Sequence, residues 1–285
     1  MRTAAGVALA ALALHAPRAA AQSDCFPPKN SNEARTMATF DVPLAFGPAA
    51  APPAADRPAG RWYVGIDVST VPNVSRGTAT PTTCRPGKGP ENTDLLFAAP
   101  RPRIAVTLPA GFMLEGSWIP PVKIGAVEAN VIGASLARVT RLDRRGSVLS
   151  VRAHLSVGVI KAPITCNDAA LEEVNSECYR GTRSNDAFKP NVFGVEAAVG
   201  WRLGRVIHPY LGAGYNHLAP RFQVNFTNQV GDVDRRKVSV DLDRGVLFAG
   251  VTWNAATAFD LGAEMYAVPA DAITARLSAR IRLGR

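Results

Sequence analysis

From Arg61 onward the chain alternates apolar and polar residues with a period of two, as a strand does when its two faces meet different surroundings. The last segment is the most legible. Ile273, Ala275, Leu277, Ala279, Ile281 and Leu283 share one face, with Thr274, Arg276, Ser278, Arg280 and Arg282 on the other. The segment before it sets Phe259, Leu261, Ala263, Met265 and Ala267 against Asp260, Gly262, Glu264 and Tyr266. Residues 190–203 oppose Phe193, Val195, Ala197, Val199, Trp201 and Leu203 to Glu196, Gly200 and Arg202. Residues 148–160 oppose Leu149, Val151, Ala153, Leu155, Val157 and Val159 to Ser150, Arg152, His154 and Ser156. Residues 61–69 oppose Trp62, Val64, Ile66 and Val68 to Tyr63, Gly65, Asp67 and Ser69. Segments 101–109, 112–119, 127–140, 207–217 and 245–253 follow the rule more weakly; 127–140 is apolar on both faces, which predicts a bulge or a shift of phase.

These segments predict ten antiparallel strands, and their connections alternate in length. The short ones are 109–111, 141–147, 204–207 and 254–257; the others include 71–100, 161–189 and 218–244, with shorter members at Pro120-Pro121 and Pro269. Short turns at one end and long loops at the other are the pattern of outer-membrane barrels. A soluble barrel alternates too, with its faces inverted, so alternation alone does not separate the two. Three features favour the membrane form. The apolar face reads as free of charge over whole strands, as hydrocarbon demands. Trp62, Trp118, Trp201 and Trp253, with Phe112, Phe193, Tyr215 and Phe259, fall on that face towards strand ends, where an aromatic girdle belongs. The strands also reach or exceed the roughly 9–11 residues that a tilted membrane strand requires.

The N-terminus fits an exported protein. Arg2 begins a basic start, Thr3 to Leu14 form an apolar run, and Ala19-Ala20-Ala21 offers a small-residue cleavage site. The run is shorter than a membrane helix. The expected divisions are a signal peptide at 1–21, a Pro- and Ala-rich periplasmic segment at 22–60, and the barrel at 61–285. Within 22–60, Thr39 to Phe46 reads as one extended piece. Removing Arg2 and Arg18 takes the formal charge from +9 to +7. Four cysteines in an exported chain predict disulfides. Cys166 and Cys178 share a polar loop and form the first-choice pair; Cys25 and Cys84 then pair by elimination. No Cys-x-x-Cys or histidine cluster supports a metal site.

The chain resembles the small outer-membrane β-barrel proteins of opacity and porin-like type. The residues that carry the resemblance are the Phe193 to Leu203 strand, the Pro209-Tyr210-Leu211-Gly212-Ala213-Gly214-Tyr215 strand start and the alternating final strand. It covers about residues 61–285 and implies a fold and a bacterial outer-membrane location, with no particular activity. One departure is the end, Ile281-Arg282-Leu283-Gly284-Arg285, where such proteins carry a terminal aromatic residue.

The inward list predicts a charge network: Asp67, Glu115, Glu196, Asp260 and Glu264 against Arg103, Arg152, Arg202, Arg276 and Arg280, with His154. Charges in a narrow lumen must pair, because isolated burial is costly. A last turn centred on Ala270 sets Glu264 against Arg276 and Asp260 against Arg280. The same arithmetic across 161–189 sets His154 against Glu196. This network supports a structural barrel, with a narrow anion-preferring conduit as the rival. His154, Ser156 and Glu196 can be drawn as base, nucleophile and orienter, yet the lumen is the wrong place for a lipid-modifying centre, and a non-enzymatic role is favoured. His208 and His217 fall at the two membrane borders. Gly212 and Gly214 lie within a strand, so they form no phosphate loop. No basic helix or basic–aromatic stripe points to nucleic acid. Arg221, Arg235, Arg236 and Lys237 are diluted by Asp232, Asp234, Asp241 and Asp243 and read as solvated loop. The expected partners are membrane lipid, lipopolysaccharide and surface partners at the loops, for a monomer without cofactor.

Overall fold

The computed structural model describes residues 24–47, 50–53, 55, 58–256 and 258–283. The signal-peptide reading and the final Gly284-Arg285 lie outside them. Ten strands build the wall: β1 (Trp62–Thr70), β2 (Ala98–Thr107), β3 (Phe112–Ile124), β4 (Val127–Arg141), β5 (Val148–Ala162), β7 (Asn191–Gly200), β8 (Ile207–Leu218), β13 (Leu242–Ala256), β14 (Phe259–Val268) and β15 (Ala272–Leu283). Each pairs antiparallel with its neighbour in sequence order. β1–β15 closes the ring, and β5 pairs with β7 across the long 163–190 connection. The chain is a closed ten-stranded antiparallel barrel.

Alternation decides which residues face out, as read from the sequence. Val151, Leu155, Leu277 and Ile281 are exposed on the outer surface, Leu277 by 62%, whereas Arg276 is 1% exposed inside. The outer face carries a few charges, contrary to the sequence reading: Lys123, Glu128, Arg138, Lys161 and Asp243 point outward, all near strand ends. There polar surroundings can receive them. β4 keeps a regular phase, and the irregularity falls in β3 between Ile119 and Val122, where Pro120 and Pro121 interrupt pairing. β4 is apolar on both faces because Val127 and Val131 pack inward on an apolar core.

That core is made by the N-terminal segment, which does not hang free of the barrel. Cys25 pairs with Val238 at the loop end, and Gly60 donates to the Thr107 carbonyl at the turn end (2.7 Å). The described residues between them lie in the lumen. Helix α1 (Asn32–Asp41) starts at Ser31, whose hydroxyl accepts from the Ala34 N–H (3.1 Å). Ala34, Met37, Ala38, Val42 and Ala45 are buried. They recur at helical spacing, so Thr39 to Phe46 is the end of a helix and a 3-10 turn (Val42–Leu44) rather than an extended piece. Eight strands leave room only for side chains; ten accommodate this small-residue helix.

The loops form a crown. β6 (Asp186–Lys189) extends the β5 edge, β9 (Arg221–Gln223) pairs with β6, and β12 (Lys237–Ser239) pairs with β9. The hairpin β10 (Phe226–Thr227) and β11 (Val233–Asp234) and the short turns α2 (Arg76–Ala79) and α3 (Asp168–Glu172) complete it. Disulfides join Cys25 to Cys84 and Cys166 to Cys178.

Candidate functional site

The lumen holds the charges, from mid-height to the turn end. β15 and β14 set Glu264 opposite Arg276 and Asp260 opposite Arg280, the register that the short turn implies. Arg276 lies 3.2 Å from Glu264, and Arg280 lies 3.7 Å from Asp260, which Arg282 also contacts. Arg103 bridges Asp67 (2.6 Å) and Glu115 (2.5 Å). Arg101 joins them, 3.6 Å from Asp67. Across β5 and β7 the register is two residues away from the expected one: Arg152 faces Glu196, and His154 faces Gly194. A short turn fixes register, whereas β6 and the 163–185 loop intervene here. His154 nevertheless reaches Glu196 on the diagonal, Nε2 to Oε1 3.3 Å. Tyr266 donates to Glu196 and Tyr210 to Glu264, each at 2.9 Å.

Arg202 does not belong to this group. β7 ends at Gly200, so Arg202 is exposed in the turn region beyond it. Ser156 is buried on the His154 face, but its hydroxyl makes no hydrogen bond among the described residues. The drawn base–nucleophile pair is therefore not assembled in this geometry. His208 and His217 lie at opposite ends of β8, beside Asn254 (3.0 Å) and Asp243 (3.0 Å). Of the aromatic residues, Trp62, Phe112, Trp201, Trp253 and Phe259 mark the turn end, and Phe193 and Tyr215 the loop end. Trp118 stands at mid-strand in β3, because that strand runs on to Ile124 past its proline pair.

The plug and the charges hold each other. Arg276 donates to the carbonyls of Val42 (3.2 Å) and Ala45 (3.1 Å), and Arg101 to those of Leu44 (3.3 Å) and Ala45 (3.4 Å). The Phe46 ring sits among Arg103, Arg101 and Arg152, at 4.5, 5.5 and 5.7 Å. Glycines make this room. A Cβ at Gly47 would meet the Arg276 guanidinium at 1.4 Å, and one at Gly133 would meet the Phe46 ring at 2.7 Å. Sequence reasoning missed Arg101, Phe46 and Gly47, since the segment carrying Phe46 and Gly47 read as lying outside the barrel.

In the crown, Glu33 of α1 accepts from the N–H groups of Thr82 (3.0 Å), Thr83 (2.7 Å) and Cys84 (2.8 Å). Burial pushes the Glu33 carboxyl up, but these donors outweigh it and hold the group below its ordinary value. Arg85 gathers Glu91 (3.3 Å), Glu177 and Asp234 (3.7 Å), linking three loops. Arg236 pairs with Asp234 (2.5 Å) and Arg221 with Asp241 (2.8 Å), so these loop cations are internally matched.

No protein-family model and no curated protein matches the chain. Solved structures that resemble it are outer-membrane β-barrel proteins. The Yersinia pestis outer-membrane protein Ail is 12% identical, with a TM-score of 0.32, over 79% of this chain and 99% of that one. Neisserial surface protein A is 13% identical, with a TM-score of 0.28, over 78% and 96%. The P. putida toluene transporter TodX is 12% identical, with a TM-score of 0.33, over 84% and 71%. Likeness at this level carries nothing about activity, and the barrel assignment rests on the closed strand order of this chain itself.

Proposed function

We propose that this is an exported outer-membrane protein of bacteria whose role is non-enzymatic: the barrel is a plugged pedestal that displays the stapled loop crown at the cell surface. The observation that carries the reading is the N-terminal segment, whose described residues occupy the lumen and are gripped by Arg101 and Arg276. A lumen so occupied serves as structure, leaving the crown as the part that meets partners. The apolar outer surface supports residence in a bilayer, with the short turns on the periplasmic side. Between the 71–97 and 163–185 loops lies a cleft of about 390 Å³ bordered by Arg76, Lys88, Asp94, Asn167 and Glu173, a polar recess suited to a hydrophilic surface partner such as lipopolysaccharide.

The test combines location, closure and loop function. Cell fractionation with heat-modifiable gel migration should place a closed barrel in the outer membrane. Replacing the exposed residues of 167–176 should abolish surface binding without altering migration. Steady single-channel conductance from the unmodified protein in a planar bilayer would instead favour the conduit.

A further inference from the structure

Among the described residues, the barrel wall is incomplete between β2 and β3. β2 and β3 pair only from Arg103–Ser117 to Thr107–Met113. Beyond that, residues 98–102 of β2 pair only with β1, and 118–124 of β3 only with β4. The two facing edges carry Pro100, Pro102, Pro120 and Pro121, which have no N–H to donate across the gap. Fewer donors are then left unpaired where hydrocarbon would surround the wall. The opening lies in the loop-end half of the barrel.

Behind the opening is a cavity of about 250 Å³, and every side chain lining it is apolar. Ile66 belongs to the apolar outer face, and Val122 and Ile124, which share the inward face of Ala129 and Val127, are exposed at the mouth. Phe40 and Leu44 of the plug and Phe188 of the crown form its inner wall. A polar ligand would lose its hydrogen bonds there without replacement, and water would find no partner. An empty cavity forfeits the dispersion contacts of its lining. An engineered apolar cavity of about 150 Å³ already holds benzene. This one has room for more, and its mouth opens sideways.

We propose that the β2–β3 opening receives the end of an acyl chain from a lipid of the surrounding leaflet, which lies against Phe40 and Leu44 of the plug. The inference rests on the barrel being in a bilayer, as proposed above. It makes the plug a lipid-contacting element, which a sealed wall would forbid.

The full mature protein, placed in nanodiscs of phosphatidylcholine with a diazirine on one acyl chain, tests this after photolysis and peptide mapping. Adducts are expected on the outer residues of β15, around Leu277, and also on the plug between Phe40 and Leu44. Filling the cavity with Ala129→Trp should remove the plug adducts and leave those on β15. Ala99→Phe provides the same test from the other edge should Ala129→Trp fail to give a closed barrel by gel migration. Adducts on β15 with none on the plug, or plug adducts that survive filling, overturn the proposal. Adducts on neither overturn the membrane reading on which it stands.

Discussion

Glu33 shows how one side chain ties the plug to the crown. Its carboxylate takes three backbone N–H groups of the 82–84 turn, and hydrogen bonds to a charged acceptor are worth roughly 1.5–3 kcal/mol each. Because the folded pKa lies below the unfolded one, this stabilisation is present above about pH 4.3, the unfolded value. It is lost as pH falls through the folded value. Limited proteolysis of the 71–97 loop should therefore accelerate on acidification below about pH 4. Glu33→Gln should raise cleavage at neutral pH and flatten that dependence. The glycines give a second residue-scale expectation. A Cβ at Gly194 would meet Asn216 Oδ1 at 2.1 Å and His154 Nε2 at 2.3 Å, whereas one at Gly245 meets nothing. Gly194→Ala should lower the temperature of the gel-migration shift, a cost of about 1–3 kcal/mol for overpacking; Gly245→Ala should leave it near the parent value. The partners of Glu264 and Asp260 were legible because a short turn fixes the β14–β15 register. The register across β5 and β7 was misread by two residues because a long loop does not fix it, although His154 still reaches Glu196 on the diagonal.

The ten wall strands were readable as elements because each separates two environments, and that separation writes a period of two into the sequence. The plug was not, because it is surrounded on all sides by barrel wall and crown. Its helix and the 3-10 turn after it carry Ala34, Met37, Ala38, Val42 and Ala45 at helical spacing behind a Ser31 cap, a signal hidden by the proline-rich stretch that follows. The crown loops were readable only through their cysteines. Their two disulfides close loops of 59 and 12 residues, which in the chain-entropy picture are worth about 4 and about 3 kcal/mol. These links lie outside the wall and secure the crown and the N-terminal segment. Reduction, or Cys25→Ser with Cys84→Ser, should therefore expose the crown to protease while the heat-modifiable barrel band is unchanged. Collapse of that band on reduction would show that the wall depends on the crown.

At the scale of the whole molecule, the barrel and its plug form one object held at three levels. The plug is anchored at the crown by Cys25–Cys84, at mid-lumen by Phe46 among three arginines, and at the turn end, where Thr107 donates to the Pro58 carbonyl (2.8 Å). Each cation–π contact of this kind is worth roughly 0.5–2 kcal/mol, so no single contact should decide closure. Phe46→Ala alone and the disulfide variant alone should each give silent planar-bilayer recordings, as the parent should. Combining them leaves the segment held by the Arg101 and Arg276 hydrogen bonds, by Glu33 and by the contact near the turns, and should produce flickering conductance. The opened lumen would present Arg101, Arg103, Arg152, Arg276 and Arg280 beside Asp67, Glu115, Glu196, Asp260 and Glu264. These opposite charges are interleaved and paired, so the reversal potential in a salt gradient should stay close to zero. A strong preference for either sign would mean that the ion pairs part when the plug leaves. The plug would then be a support of the charge network as well as its obstruction.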